Sequence, residues 1–144
     1  MITSFSHIYH RVRDLDESID FYTTKLGFTL LRRYSVDGRE SAYVGLADVL
    51  LEMSVVRDAS ELPGPDGERR LGLTVTDLDA VMAGLKTAGI EVVQEAYAAR
   101  TFWGRQAAIK DPNGYIISLR EWKEPDNPRF AGWKPLHEGV IRLA

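Results

Sequence analysis

The sequence predicts an α+β fold of two tandem βαβββ modules, with one helix per module on the outer face of a cupped mixed β-sheet. Three observations carry this. The stretch 7–28, HIYHRVRDLDESIDFYTTKLGF, reads as a strand, a capped helix and the start of a second strand. Strand-like runs separated by short turns follow it, so that the unit is strand, helix and three strands. The opening then returns: Val12, Asp14, Leu15 and Asp16 recur as Val75, Asp77, Leu78 and Asp79, each 63 positions later, and Gly27 recurs as Gly89. A unit of about sixty residues has been duplicated. One helix covers only one face of its strands, so two such sheets would enclose a cup lined by their open faces.

In chain order, residues 7–13 alternate. Ile8 and Val12 fall on one face and His7, Tyr9 and Arg11 on the other, as in a strand packed on one side. His10 shares the Ile8 face, against the pattern. Asp14 is a favoured N-cap, because its carboxylate can accept from a first-turn N–H, and Glu17 stands at capping-box spacing. Leu15, Ile19, Tyr22 and Leu26 form one apolar helical stripe. Gly27 sits where a helix commonly ends in a left-handed residue.

Strands are predicted at 28–35, 39–46 and 49–56. Asp37-Gly38 joins the first two as a tight hairpin, since both positions tolerate positive φ. Ala47-Asp48 turns the chain again. Residues 57–68, RDASELPGPDGE, read as a linker, because their prolines and glycines cannot continue a ladder. In the second module RLGLTVT is a strand, Asp77 a cap, and Leu78, Val81, Met82 and Leu85 a helical stripe ended by Gly89. Strands follow at 90–98 and 105–110. Asp111-Pro112-Asn113-Gly114 is a turn, and 115–122 is the last strand. Module one (5–56), the linker (57–68) and module two (69–122) make one domain over 1–122. Residues 123–144 form a tail rich in Pro, Trp and Phe.

Composition narrows the function classes. The 144 residues are 44% hydrophobic and 27% charged, ordinary for a soluble domain. A net charge of -3 gives no basic footprint for nucleic acid. No apolar run approaches the length of a membrane span. The N-terminus lacks the pattern of a signal peptide, and the default location is the cytoplasm. Cysteine is absent, which removes disulfides, thiolate metal sites and a cysteine nucleophile.

Pairing the repeats brings chemistry-bearing residues together. His7 pairs with Arg70 at the same offset of 63. Glu52 lies ten residues after Ala42, as Ser118 lies ten after Ala108, so these two pair as well. Glu52 is the lone carboxylate in VLLEMSVV and must meet a polar partner or a cavity, because burying it alone is very costly; Arg70 or Arg120 could supply an ion pair. Alternation adds Tyr9, Arg11, Ser54 and Arg120 to the inward faces. Trp103, in Phe102-Trp103-Gly104, offers an aromatic wall for a flat ligand, although core packing is the commoner use. His10 and His137 read as structural or surface residues.

The opening stretch, the DPNGYIISL segment and the duplicated unit resemble the vicinal oxygen chelate superfamily, which includes glyoxalase I, epimerases, extradiol dioxygenases and bleomycin-resistance proteins. The resemblance spans residues 5 to about 122. It implies a small-molecule ligand or substrate and a homodimer. In metal-dependent members, His, Gln or Glu from the first strand of each unit and Glu from the last hold a divalent ion. His7 and Glu52 match the first unit's ligands and suit Zn, Ni, Mn or Fe. Arg70 and Ser118 depart from the second unit's: arginine has no lone pair to give, and serine is a poor ligand.

Three readings follow. One is a binding protein without a metal, in which Arg70, Arg11 and Arg120 engage an anionic or carbonyl-bearing ligand and Trp103 and Tyr9 stack on it. The second is an enzyme, of which there are two forms. Either a metal on His7 and Glu52 performs lyase, isomerase or dioxygenase chemistry, or His7 or Glu52 is a general base and Arg70 steadies an oxyanion. The third and least favoured is a purely structural module.

Overall fold

The computed structural model describes residues 1–63 and 70–123, and 132, 134, 139, 141 and 143 of the tail. The later part of the predicted linker, His137 and most of the tail lie outside the described residues. Two four-stranded mixed sheets and two helices give the α+β fold that the duplication predicts. The chain divides into two compact units, Met1–Glu68 with Asp111–Tyr115, and Arg69–Lys110 with Ile116–Ala144. Among the described residues no helix is long and apolar enough to cross a membrane.

In the first unit, β1 (Ile8–Val12), α1 (Leu15–Asp20), β2 (Thr29–Val36), β3 (Arg39–Leu46) and β4 (Val49–Val55) follow in order. The sheet order is β1-β4-β3-β2, with β1 parallel to β4 and the other pairs antiparallel. Asp14 caps α1 by accepting from the Glu17 N–H at 2.9 Å. The regular α-helix is shorter than the apolar stripe predicts. It passes into a wider turn, Phe21–Lys25, in which the Leu26 N–H reaches the Phe21 carbonyl at 3.2 Å. A wider turn rotates less per residue, and the adjacent Phe21 and Tyr22 are both buried. The helix packs on β3 and β4. Leu15, Phe21 and Tyr22 are buried with Val12, Ala42, Val44, Leu51 and Met53. Each large apolar side chain so buried contributes about 1.5–3 kcal/mol.

His10 belongs to this core. It is 2% exposed, stacks on Tyr115 with ring centroids 3.8 Å apart, and lies 3.3 Å from the Tyr22 hydroxyl. Tyr22 donates to the Asp111 carboxylate at 2.8 Å. Asp111 also accepts the backbone N–H groups of Asn113 and Tyr115, at 2.8 and 2.9 Å. Asn113 accepts from the Arg13 N–H at 2.8 Å and donates to Ser18 at 3.1 Å. The 111–115 turn therefore belongs to the first unit through a buried polar network, although it lies late in the chain.

The second unit contains β5 (Arg70–Thr74), α2 (Leu78–Thr87), β6 (Val92–Ala98), β7 (Gly104–Lys110) and β8 (Ile116–Trp122), in the sheet order β5-β8-β7-β6. Asp77 caps α2 through the Ala80 N–H at 2.9 Å. Leu78, Met82 and Leu85 are buried, and α2 packs on β6, β7 and β8. Gly104 starts β7 at a φ of 149°, and a Cβ there would collide with the Glu121 carbonyl oxygen. Gly104→Ala is expected to cost about 2 kcal/mol, from backbone strain and a contact that backbone cannot easily relieve. An unchanged midpoint in urea unfolding would contradict this.

Candidate functional site

Strand alternation sets what each open face carries. On the first sheet the face packed by α1 holds His10, Val12, Ala42, Val44, Leu51 and Met53. The opposite face holds Tyr9 and Arg11 of β1, Tyr34 of β2, Ser41 and Tyr43 of β3, and Glu52 and Ser54 of β4. Their registers are fixed: Tyr9 and Tyr43 both lie opposite Glu52, and Arg11 and Ser41 both lie opposite Ser54. Tyr34 lies opposite Ser41. The two-residue turns at 37–38 and 47–48 lock this arrangement, and Asp37 and Gly38 both take positive φ, 51° and 79°.

His7, just before β1, brings its Nε2 to 3.0 Å from Glu52 Oε2. The other carboxylate oxygen, Oε1, accepts from the Tyr34 hydroxyl. Glu52 thus finds its polar partners within its own unit, in a histidine and a tyrosine. His7 Nδ1 lies 2.9 Å from Ser6 Oγ. Tyr43 meets the His7 ring edge-on at 5.9 Å and stacks with Tyr34 at 5.9 Å. The Tyr34 phenol is pushed up to about 12, first by its hydrogen bond to Glu52, then by burial and by the Glu52 charge. The side chain of His7 is 34% exposed and that of Glu52 17%, so the pair is accessible yet partly shielded.

The other predicted residues of this face are partnered differently. The Tyr9 hydroxyl accepts from Arg39 at 3.1 Å, and Arg39 also donates to the Val55 carbonyl at 2.8 Å. Ser54 is buried and shares a hydrogen bond with Ser41 at 2.7 Å. Arg11 is exposed, with Glu61 at 3.8 Å. Tyr34, Tyr43 and Arg39 are not among the residues that the sequence singles out. Counting outward from the two hairpin turns would have placed both tyrosines on the Glu52 face.

In the second unit Arg70, Ser118 and Arg120 line one concavity of about 480 Å³, together with Gly72, Thr74, Gln106 and Trp122. Trp122 and Gln106 are additions to the predicted set. Trp103 is 40% exposed, and its indole N–H donates to the Lys134 carbonyl at 3.2 Å.

The registers also test the repeat. Tyr9 opposite Glu52 in the first sheet corresponds to Gly72 opposite Ser118 in the second. His7 and Arg70, each two residues earlier, are therefore equivalent, as are Glu52 and Ser118. At the ligand positions that the family resemblance implies, the first unit carries an imidazole and a carboxylate, and the second a guanidinium and a hydroxyl. A guanidinium cannot donate a lone pair, and the two competent donors, 3.0 Å apart, both belong to the first unit. Among the described residues no three His, Asp or Glu side chains gather where one ion could be held. This donor set does not fit a centre of that type.

Comparison with known proteins agrees with the fold. The family model described as Glyoxalase/Bleomycin resistance protein/Dioxygenase superfamily matches residues 4–119. A probable lactoylglutathione lyase of Vibrio parahaemolyticus is 32% identical over 124 residues, covering 82% of this chain and 90% of that protein. A lactoylglutathione lyase of Neisseria meningitidis is 31% identical over 127 residues, covering 84% and 92%. Among solved structures, the trypanothione-dependent glyoxalase I of Leishmania major superposes with a TM-score of 0.66 at 26% identity, covering 79% of this chain and 83% of that one. A match of the family model over most of the sequence, on a duplicated βαβββ framework, means that this chain belongs to the Glyoxalase/Bleomycin resistance protein/Dioxygenase superfamily.

Proposed function

We propose that this chain binds a small organic molecule on the open polar faces of its sheets, without the complete metal centre of its metal-dependent relatives. The observation that carries this reading is the His7–Glu52 contact of 3.0 Å, taken with Arg70 and Ser118 at the equivalent positions of the second unit. The first unit offers two possible metal ligands, and the second unit supplies none. Binding then rests on arginines, hydroxyls and aromatic rings. A second reading has support in the same pair. Glu52 orients the His7 ring, and a carboxylate-oriented imidazole can move a proton without a metal.

Thermal shift against planar antibiotics and small dicarbonyls tests the proposal in metal-chelated buffer. A ligand present at a hundred times its Kd stabilises by about 2.7 kcal/mol, a rise of roughly 5–10 °C for a domain of this size. Such a rise in chelator supports metal-free binding. A rise that appears only after Zn, Ni, Mn or Fe is added contradicts it. Turnover of the ligand in chelator moves the assignment to metal-free proton transfer, and loss of that turnover in His7→Ala locates it.

A further inference from the structure

Rows of side chains cross the open face of the second sheet. One is made of small residues: Gly72 lies opposite Ser118, and Ser118 opposite Ala108. A Cβ built on Gly72 would meet nothing within 4 Å, so no neighbour fills the hollow above it. The next row is polar, with Thr74 opposite Arg120 and Arg120 opposite Gln106. Gln106 donates to the Tyr97 hydroxyl, which fixes its amide. Arg70 stands at the other end of the hollow, about 13 Å along the strand from Thr74 at roughly 3.3 Å per residue.

Arg120 is held in an unusual way. Its guanidinium carbon lies 4.9 Å from the centroid of Phe102 and 5.5 Å from that of Trp122. Aromatic faces attract a cation and fix its plane without neutralising it. Its Nε is buried and has no hydrogen-bond partner among the described residues. Arg33 and Arg105 pair with carboxylates, whereas no ion pair among the described residues engages Arg70 or Arg120. A guanidinium held by aromatic rings rather than by a carboxylate, on the wall of an open hollow, matches a ligand carboxylate, which accepts from guanidinium N–H groups through both oxygens.

We infer that this concavity is a site for a flat organic acid. The acid's carboxylate accepts from Arg120, its body lies over Gly72 and Ser118, and a second acceptor group reaches Arg70. This rests on the reading of the chain as a small-molecule binder and names the ligand class. The volume of about 480 Å³ lies within the range of ligand pockets. Two cations at opposite ends favour a dicarboxylate over a monocarboxylate.

The test follows the Arg120 Nε–H signal by 1H–15N NMR in the full chain, titrated with terephthalate, benzoate and benzamide. Terephthalate and benzoate are expected to shift it saturably, terephthalate at lower concentration, and benzamide or chloride at equal concentration to leave it in place. Arg120→Gln should weaken benzoate at least ten-fold, as followed by tryptophan fluorescence. Arg70→Gln should remove most of the advantage of terephthalate over benzoate. Equal shifts from benzamide and benzoate in the wild type overturn the inference, whatever the variants do. So does unchanged benzoate affinity in an Arg120→Gln protein with a normal melt. If neutral dicarbonyls raise the melt while no acid moves the Arg120 signal, this inference fails and the binding proposal stands. If neither class binds, both fail.

Discussion

Asp111→Ala is expected to lower stability by about 3 kcal/mol. Asp111 is 4% exposed and accepts four hydrogen bonds, from the Tyr22 hydroxyl, from the backbone N–H groups of Asn113 and Tyr115 and, at 3.5 Å, from the Asn113 side-chain amide. Tyr22 keeps a second neighbour in His10 Nε2. The two backbone N–H groups donate to this carboxylate, and each buried donor left unmade costs about 1–3 kcal/mol. Asp111→Asn retains an acceptor oxygen for those N–H groups and should lose less than half as much. Burial pushes the Asp111 carboxyl above its ordinary value, against the lowering effect of its hydrogen bonds. A carboxyl raised in the folded state contributes stability that is present below its unfolded value and is lost as pH rises through its folded value. The advantage of wild type over Asp111→Asn should therefore shrink from about pH 4 towards neutrality. Urea midpoints across that range check this, and an advantage that grows with pH would contradict it. Tyr22 is also raised, well above its ordinary value, first by burial and then by Asp111. Its contribution is lost only in strong alkali.

Glu52→Gln is expected to return the Tyr34 phenol from about 12 towards its ordinary 10.0. The hydrogen bond to Glu52 is the largest cause of the rise, and the charge of Glu52 adds to it. Glutamine carries no charge and accepts a weaker bond, while burial keeps part of the shift. A phenol raised in the folded state contributes stability that is full below its unfolded value and lost as pH rises through its folded value. The window here is pH 10 to about 12. Tyrosinate absorbance over that range should show one group that ionises earlier in Glu52→Gln, and its absence in Tyr34→Phe assigns it. Identical titrations of wild type and Glu52→Gln would mean that Tyr34 does not lean on Glu52. The same substitution loosens His7, whose Nε2 loses its carboxylate partner.

Much of the framework is legible in the amino-acid sequence alone. The offset of 63 between Val12 and Val75, carried by Asp14 and Asp77, marks two helix caps, and both carboxylates cap as expected. The lone carboxylate in VLLEMSVV demands a partner, and Glu52 has two. The features that the sequence hides depend on register or on distant packing. Tyr34 bonds Glu52, and Tyr43 lies opposite it, only once the two hairpin turns fix the pairing. The 111–115 turn reads as a plain turn because its partners Tyr22, Ser18 and Arg13 lie some ninety positions earlier. His10 reads as a fault in an alternating strand. It is a buried polar residue, and Tyr115 and Tyr22 explain why the core accepts it. Trp122 is inconspicuous because it ends the last strand, whereas Phe102-Trp103 stands out as an aromatic pair on a loop.

The most direct test of the central claim is elemental analysis of untagged protein purified without added metal, followed by calorimetric titration with Zn, Ni, Mn and Fe. Two donors in the first unit, with Arg70 and Ser118 at the equivalent positions of the second, predict far less than one equivalent of metal and no saturable binding. A near-stoichiometric metal that is lost in His7→Ala would contradict the account.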